Sequence, residues 1–65
     1  MEYRWVDRHE SWIYVDVQGT VLGRVDKINT GRAILPKYWW QTATMTNCEI
    51  DLRLAKKSVE YVLHQ

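Results

Sequence analysis

Residues 12–25 read WIYVDVQGTVLGRV, and the fold turns on how this stretch is read. Its first six residues are β-branched or aromatic except for Asp16, the composition of a half-buried strand. Gln18-Gly19 then supplies a tight-turn signal, because Gly19 accepts the positive φ that hairpin turns demand. Residues 20–28 (TVLGRVDKI) return antiparallel. With a two-residue loop at Gln18-Gly19, Val17 faces Thr20, Val15 faces Leu22 and Ile13 faces Arg24. On the other side Asp16 meets Val21, Tyr14 meets Gly23 and Trp12 meets Val25. Tyr14 opposite Gly23 is a pairing in which a ring covers the gap left by a glycine.

Both faces of that hairpin are apolar. One carries Ile13, Val15, Val17 and Leu22; the other carries Trp12, Tyr14, Val21 and Val25. An antiparallel sheet covered on one side alternates apolar with polar residues, and this one does not. Trp39 and Trp40 repeat the pattern, since neighbours in a strand point to opposite faces and one helix cannot bury both. The chain holds four Trp and four Tyr, with no Phe, in 65 residues. Each such ring buries about 150–250 Å² when it finds a home. Either the segment from residue 29 to 37 folds over the second face, or another chain covers it.

Working outward, residues 1–7 (MEYRWVD) suit a short first strand, and Arg8-His9-Glu10-Ser11 a turn. A second turn falls at Asn29-Thr30-Gly31. Residues 32–35 read as strand or loop, interrupted by Pro36, and residues 38–44 (YWWQTAT) as a last strand. Toward the C-terminus, Leu52, Ala55, Val59, Val62 and Leu63 form one stripe at the helical period. Arg53, Lys56, Lys57, Glu60 and His64 fill the opposite side. Asp51 is the preferred N-cap, with Ile50 as a hydrophobic staple. Thr46-Asn47-Cys48-Glu49 is a competing capping box that would start the helix one turn earlier and add Cys48 to the stripe. Leu54 and Tyr61 lie roughly opposite the stripe, as ordinary surface or as a contact patch. The expected fold is α+β: a three- or four-stranded antiparallel meander within residues 3–44, with one C-terminal α-helix over residues 51–63 packed on one face. Residues 1–65 form a single small domain.

Composition narrows the function classes. Hydrophobic residues at 46% and charged residues at 26% belong to a globular chain, not a disordered tail. A net charge of +1 dictates neither a nucleic-acid nor a membrane partner. The charge is uneven, with five acids and three bases in residues 1–26 and six bases and three acids in residues 27–65. Cys48 is the only cysteine, which precludes an internal disulfide and suits a reducing cytoplasm. No charged-then-apolar leader and no apolar run near 20 residues is present, so a cytoplasmic protein without membrane contact is expected.

Catalytic constellations are sparse. His9, His64 and Cys48 include no close His/Cys pair of the kind that ligates metal. Cys48 and His64 would make a nucleophile–base pair only if the fold brought them together. Asp7, His9 and Glu10 read as turn chemistry, and Gly19, Gly23 and Gly31 form no phosphate-cradling loop. The sequence therefore argues against an enzyme and implies no cofactor. A protein-binding module fits better, with Trp12, Tyr14, Trp39 and Trp40 as aromatic anchors and Tyr38, Lys37 and Arg32 beside them. The alternative is nucleic-acid binding, since Lys37-Tyr38-Trp39-Trp40 interleaves a cation with rings able to stack bases, and Lys27 and Arg32 precede it. Asp16 and Asp26 on the best strands weigh against it. A third reading is a structural homodimer that buries two aromatic faces together.

The arrangement of Trp5, Trp12-x-Tyr-x-Asp-x-Gln-Gly, Leu22-Gly23-x-Val25, Trp39-Trp40 and Asp51-Leu-x-x-Ala-Lys-x-x-Val-Glu resembles small bacteriophage proteins. In these a short meander sheet is closed by a C-terminal helix with an Ala-Lys-x-x-Val-Glu-like segment, here Ala55-Lys56 and Val59-Glu60. The resemblance spans most of the chain, but its motifs are structural: turn glycines, core aromatics and a helix stripe. It implies a phage protein in bacterial cytoplasm that binds and inhibits a host protein such as a polymerase, a nuclease or a defence complex. It supplies no catalytic residues. The stretch between Gly31 and Tyr38, with Pro36, departs from the tighter turns of that pattern and is the expected target-binding loop.

Overall fold

The computed structural model describes residues 2–28 and 37–65. Met1, the Asn29-Thr30-Gly31 turn, the strand-or-loop segment at 32–35 with the candidate site residue Arg32, and Pro36 lie outside the described residues. Among the described residues, five strands precede one helix: β1 (Arg4–Arg8), β2 (Ser11–Val15), β3 (Val21–Lys27), β4 (Tyr38–Thr42), β5 (Thr46–Glu49) and α1 (Leu52–Leu63). The strands pair in chain order as one antiparallel meander, and α1 packs on one face. The architecture is α+β as expected, with one strand more than the sequence reading allowed.

That extra strand is β5, formed by the Thr-Asn-Cys-Glu segment read as a possible capping box. Thr42 makes the difference. Its N–H donates to the Met45 carbonyl at 2.8 Å, and its Oγ1 accepts from the Met45 N–H at 3.1 Å and the Thr44 N–H at 3.4 Å. The resulting tight turn sends the chain back along β4, pairing Trp40 with Asn47 and Trp39 with Cys48. Asp51 is then free to cap the helix: it is extended (φ −135°, ψ 137°) and accepts from the Arg53 N–H at 3.3 Å. Ile50 remains 55% exposed and does not serve as the expected staple.

The β2–β3 register agrees with the sequence reading at Trp12–Val25, Ile13–Arg24 and Tyr14–Gly23, then slips. Val15 pairs with Val21, leaving Leu22 as the extra residue of a bulge. Asp16 causes the slip. Its Oδ1 accepts the N–H groups of Gln18 and Thr20, each at 2.9 Å, so the turn closes from Asp16 to Thr20. Asp is a poor strand former and a good turn initiator, and a two-residue loop at Gln18-Gly19 cannot compete. Gly19 takes the positive φ (86°) that the turn needs. Val17 and Val21 are consequently largely exposed.

Strand alternation places Trp5, Trp12, Tyr14, Gly23, Val25, Tyr38 and Trp40 on the helix side, and these with Ala55 and Val59 are centred on the core cluster. The helix does not lie across the middle of the sheet. It packs over β3, β4 and β5, while β1 and β2 are reached only by long side chains. Tyr3, Trp5, Trp12 and Tyr14 fill the space beside it, with ring centroids 5.7 Å apart for Tyr3–Tyr14 and 4.8 Å for Trp5–Tyr14. Bulky rings are thus what a short, off-centre helix requires: they form the second layer themselves where α1 does not reach.

Candidate partner-binding surface

The polar residues of α1 are not all turned to solvent, contrary to the sequence reading. Glu60 accepts from Trp5 Nε1 at 2.7 Å, and the Lys56 ammonium lies 5.4 Å from the Trp5 ring and 6.0 Å from the Trp12 ring. Tyr14 Oη and His64 Nε2 share a hydrogen bond of 2.9 Å, and His64 also meets Tyr3 edge-on at 4.6 Å. Periodicity assigned these residues to the far side because it measures angle around the axis alone. A helix set to one side of its sheet keeps a flank over the uncovered strands, and long polar side chains reach down along it.

Burial pushes the Tyr14 phenol above its ordinary value, assisted by the charge of Glu60 and by Tyr3. Trp40 Nε1 donates to Glu49 at 3.3 Å, and the Ser58 hydroxyl donates to the same carboxylate oxygen at 3.2 Å. Among the described residues, every buried side-chain nitrogen and oxygen has a partner, and no cluster of three or more His, Cys, Asp and Glu side chains is assembled. Cys48, a free half-buried thiol, pairs with Trp39 on the face away from α1, whereas His64 sits against Tyr14 on the helix side. The nucleophile–base pair entertained from sequence is therefore not brought together.

The aromatic residues singled out from sequence divide between the two faces. Tyr14 and Trp40 are 7% and 3% exposed and belong to the core under the helix. Trp12 and Tyr38, half-buried, pack edge to face at 6.0 Å on the same side. Trp39 stands on the opposite face, and Lys37 is exposed just before β4 begins. Trp39 pairs with Asp26 on β3 and Cys48 on β5. Asp26 accepts two hydrogen bonds of 2.9 Å from the Arg24 guanidinium, a bidentate pair along one strand that holds the guanidinium's pKa above its usual value. Val6 and Ile13, paired across β1 and β2, lie on this face at the other side of the ion pair, with Arg4 and Arg8 at its margin. The face away from α1 thus presents a tryptophan, an aliphatic pair and fixed charges side by side.

Sequence reasoning missed Lys56, Glu60 and His64 as partners of the aromatic shelf. The signal was faint: three polar residues spaced four apart on a helix mark a stripe of their own, beside the apolar one. None of the described helices is long and apolar enough to cross a membrane. Comparisons with protein-family models, with curated proteins and with solved structures return no match. The arrangement defines a small α+β domain, and its function has to be argued from its own surfaces.

Proposed function

We propose that the protein is a non-enzymatic protein-binding module that engages its partner through the sheet face away from α1, with Trp39 as the central anchor. The observation that carries this reading is the division of the Trp39-Trp40 pair: Trp40 is spent on the core, while Trp39 stands half-buried on the face away from α1. Tryptophan is the residue type that most often dominates interface energy when a partner completes its burial. Val6 and Ile13 extend the apolar contact, and the Arg24–Asp26 pair supplies polar groups held in one geometry. The likeness to small bacteriophage proteins makes a host protein in bacterial cytoplasm the partner class, and inhibition or modulation the outcome.

The test is a pulldown from bacterial lysate, with and without nuclease, using the wild-type protein, Trp39→Ala and Trp40→Ala. Capture of a protein by the wild type, insensitive to nuclease and lost in a folded Trp39→Ala variant, supports the reading. Equal capture by Trp39→Ala overturns it. A second reading, nucleic-acid binding, is favoured by Arg4 and Arg8 on the same face, at the β1 margin, and by Lys37 just before β4. It requires oligonucleotide binding that falls steeply with salt. Absence of binding at low salt removes it.

A further inference from the structure

The two edges of the sheet are not alike. At one edge β5 occupies part of its own backbone, since Asn47 Oδ1 accepts the Cys48 N–H at 2.8 Å. At the other edge β1 pairs only with β2, and among the described residues no further backbone hydrogen bond engages it. The helix stays clear of this edge as well, because α1 packs over β3, β4 and β5. An open strand with no helix above it can accept another strand, with main-chain hydrogen bonds supplying the affinity.

The side chains of β1 say which strand. Tyr3 stacks on Tyr14 at 5.7 Å on the helix side, so the alternation of β1 continues back to Glu2. Glu2, Arg4, Val6 and Arg8 therefore share the face away from α1. Glu2, Arg4 and Arg8 are exposed, and none of them makes an ion pair among the described residues. Trp5 points to the helix side, where it is half-buried and donates to Glu60 at 2.7 Å.

The geometry points to β1 as a self-complementary edge that pairs antiparallel with β1 of a second copy of this chain, in a two-fold register centred on Trp5. Residues opposed across two strands share a face, so a two-fold pairing of this kind centres on a residue and not between two. Centred on Trp5, it sets Glu2 opposite Arg8 of the second copy at both ends, Arg4 opposite Val6, and Trp5 beside its equivalent. Centred on Val6, it sets Arg4 opposite Arg8; centred on Arg4 or Asp7, it sets a charge against its own equivalent. Opposite charges across a strand pair stabilise it and like charges destabilise it, which selects the Trp5 register. Charges commonly guard a sheet edge by meeting their like, and in this register the end charges meet their opposites. The second copy also covers the flank of Trp5 that α1 leaves open. Trp39 lies on β4, away from this edge, so the partner-binding reading and this one can fail separately.

The test is sedimentation equilibrium of the full chain from micromolar to millimolar concentration, with Glu2→Arg, Arg8→Glu and an equimolar mixture of the two. The wild type is expected to show a monomer–dimer equilibrium that weakens with salt. Each reversal alone sets like charges opposite each other at both ends and should weaken association about tenfold or more. The mixture restores opposite charges at both ends and should associate at least as well as the wild type. Arg53→Glu makes the same change in net charge as Arg8→Glu at an exposed position on α1, and should leave the dimer unchanged. The altered side chains are exposed, so circular dichroism should match the wild type and keep loss of pairing distinct from loss of fold. Amide exchange in β1 should slow as concentration rises, while that in β5 should not. A monomer throughout the range overturns the proposal. So do single reversals without effect, a mixture that stays monomeric, concentration-dependent protection of β5 in place of β1, or self-association abolished by Trp39→Ala.

Discussion

Replacing Gly23 by alanine tests the packing on which the whole domain rests. A Cβ on Gly23 would lie 2.6 Å from Val59 Cγ1, 3.3 Å from the Gln41 carbonyl oxygen and 3.6 Å from Leu63 Cδ1. Carbon atoms prefer to stand about 3.5–4.0 Å apart, so the first contact is roughly 1 Å too close. Val59 is fully buried and β-branched, with one strongly preferred helical rotamer, and cannot swing aside. The helix must move or strain. Overpacking of this kind costs about 1–3 kcal/mol. Alanine recovers about 0.5–1 kcal/mol of the strand penalty that glycine carries, which leaves a net loss centred on about 1 kcal/mol. Domains of this size rarely exceed about 3–5 kcal/mol in total stability, so the loss is a large fraction. In urea unfolding followed by tryptophan fluorescence, with a slope of about 1 kcal/mol/M, the midpoint should fall by about 1 M. The cycle with Val59→Ala isolates the cause. Val59→Ala destabilises on its own, but it removes the obstructing carbon, so Gly23→Ala in that background should be nearly neutral and the coupling about 1 kcal/mol or more. An unchanged or higher midpoint for Gly23→Ala, or the same loss in both backgrounds, would refute the close-approach argument.

Three further outcomes follow from local geometry. Tyr14→Phe removes the hydrogen bond to His64 and should cost about 0.5–1.5 kcal/mol at neutral pH. Because the Tyr14 phenol titrates higher in the folded chain than in the unfolded one, the folded state binds more protons above the ordinary tyrosine range. Stability from this group is therefore full below about pH 10 and is lost as pH rises through the folded value. Urea midpoints between pH 9 and 12 should fall less steeply in Tyr14→Phe, and parallel curves would contradict the assignment. Glu10 takes a positive φ of 59°, a strained position for any residue with a side chain. Glu10→Gly should leave the Lys27 N–H bond to the residue 10 carbonyl intact and raise the thermal midpoint by about 2–6 °C; a lower midpoint counts against the strain. Asp51→Ala removes the N-cap acceptor and should cost about 1 kcal/mol by chemical denaturation, with helix content reduced at the first turn.

The helix was legible almost to the residue. Its apolar stripe, its Asp51 cap and its end at Leu63 follow from spacing and from one side chain that accepts from its own backbone. Local chemistry of this kind acts within four residues, so the chain carries it openly. The central hairpin was legible in its register at Trp12, Ile13 and Tyr14 but not in its turn. Gly19 signalled the turn, while the carboxylate of Asp16 decided its length. β5 was obscured because Thr-Asn-Cys-Glu suits a helix start as well as an edge strand, and the choice depended on hydrogen bonds that Thr42 makes three residues away. Of the candidate site residues, the alternation of Trp39 and Trp40 was certain from sequence once their segment was a strand.

By itself, then, the sequence determined that one of those two rings had to leave the core, because adjacent strand residues cannot share a face. It also determined an α+β chain with a C-terminal helix and more aromatic surface than that helix covers. Only the tertiary structure decided which ring leaves. Gly23 has no side chain, so Val59 can press directly onto β3 and draw the helix against the face that bears Trp12, Tyr14 and Trp40. A ring on that face is sealed beneath α1; Trp39, one residue earlier, is turned the other way. The difference arises from a contact across 36 residues of chain, from Gly23 to Val59, which no local pattern records.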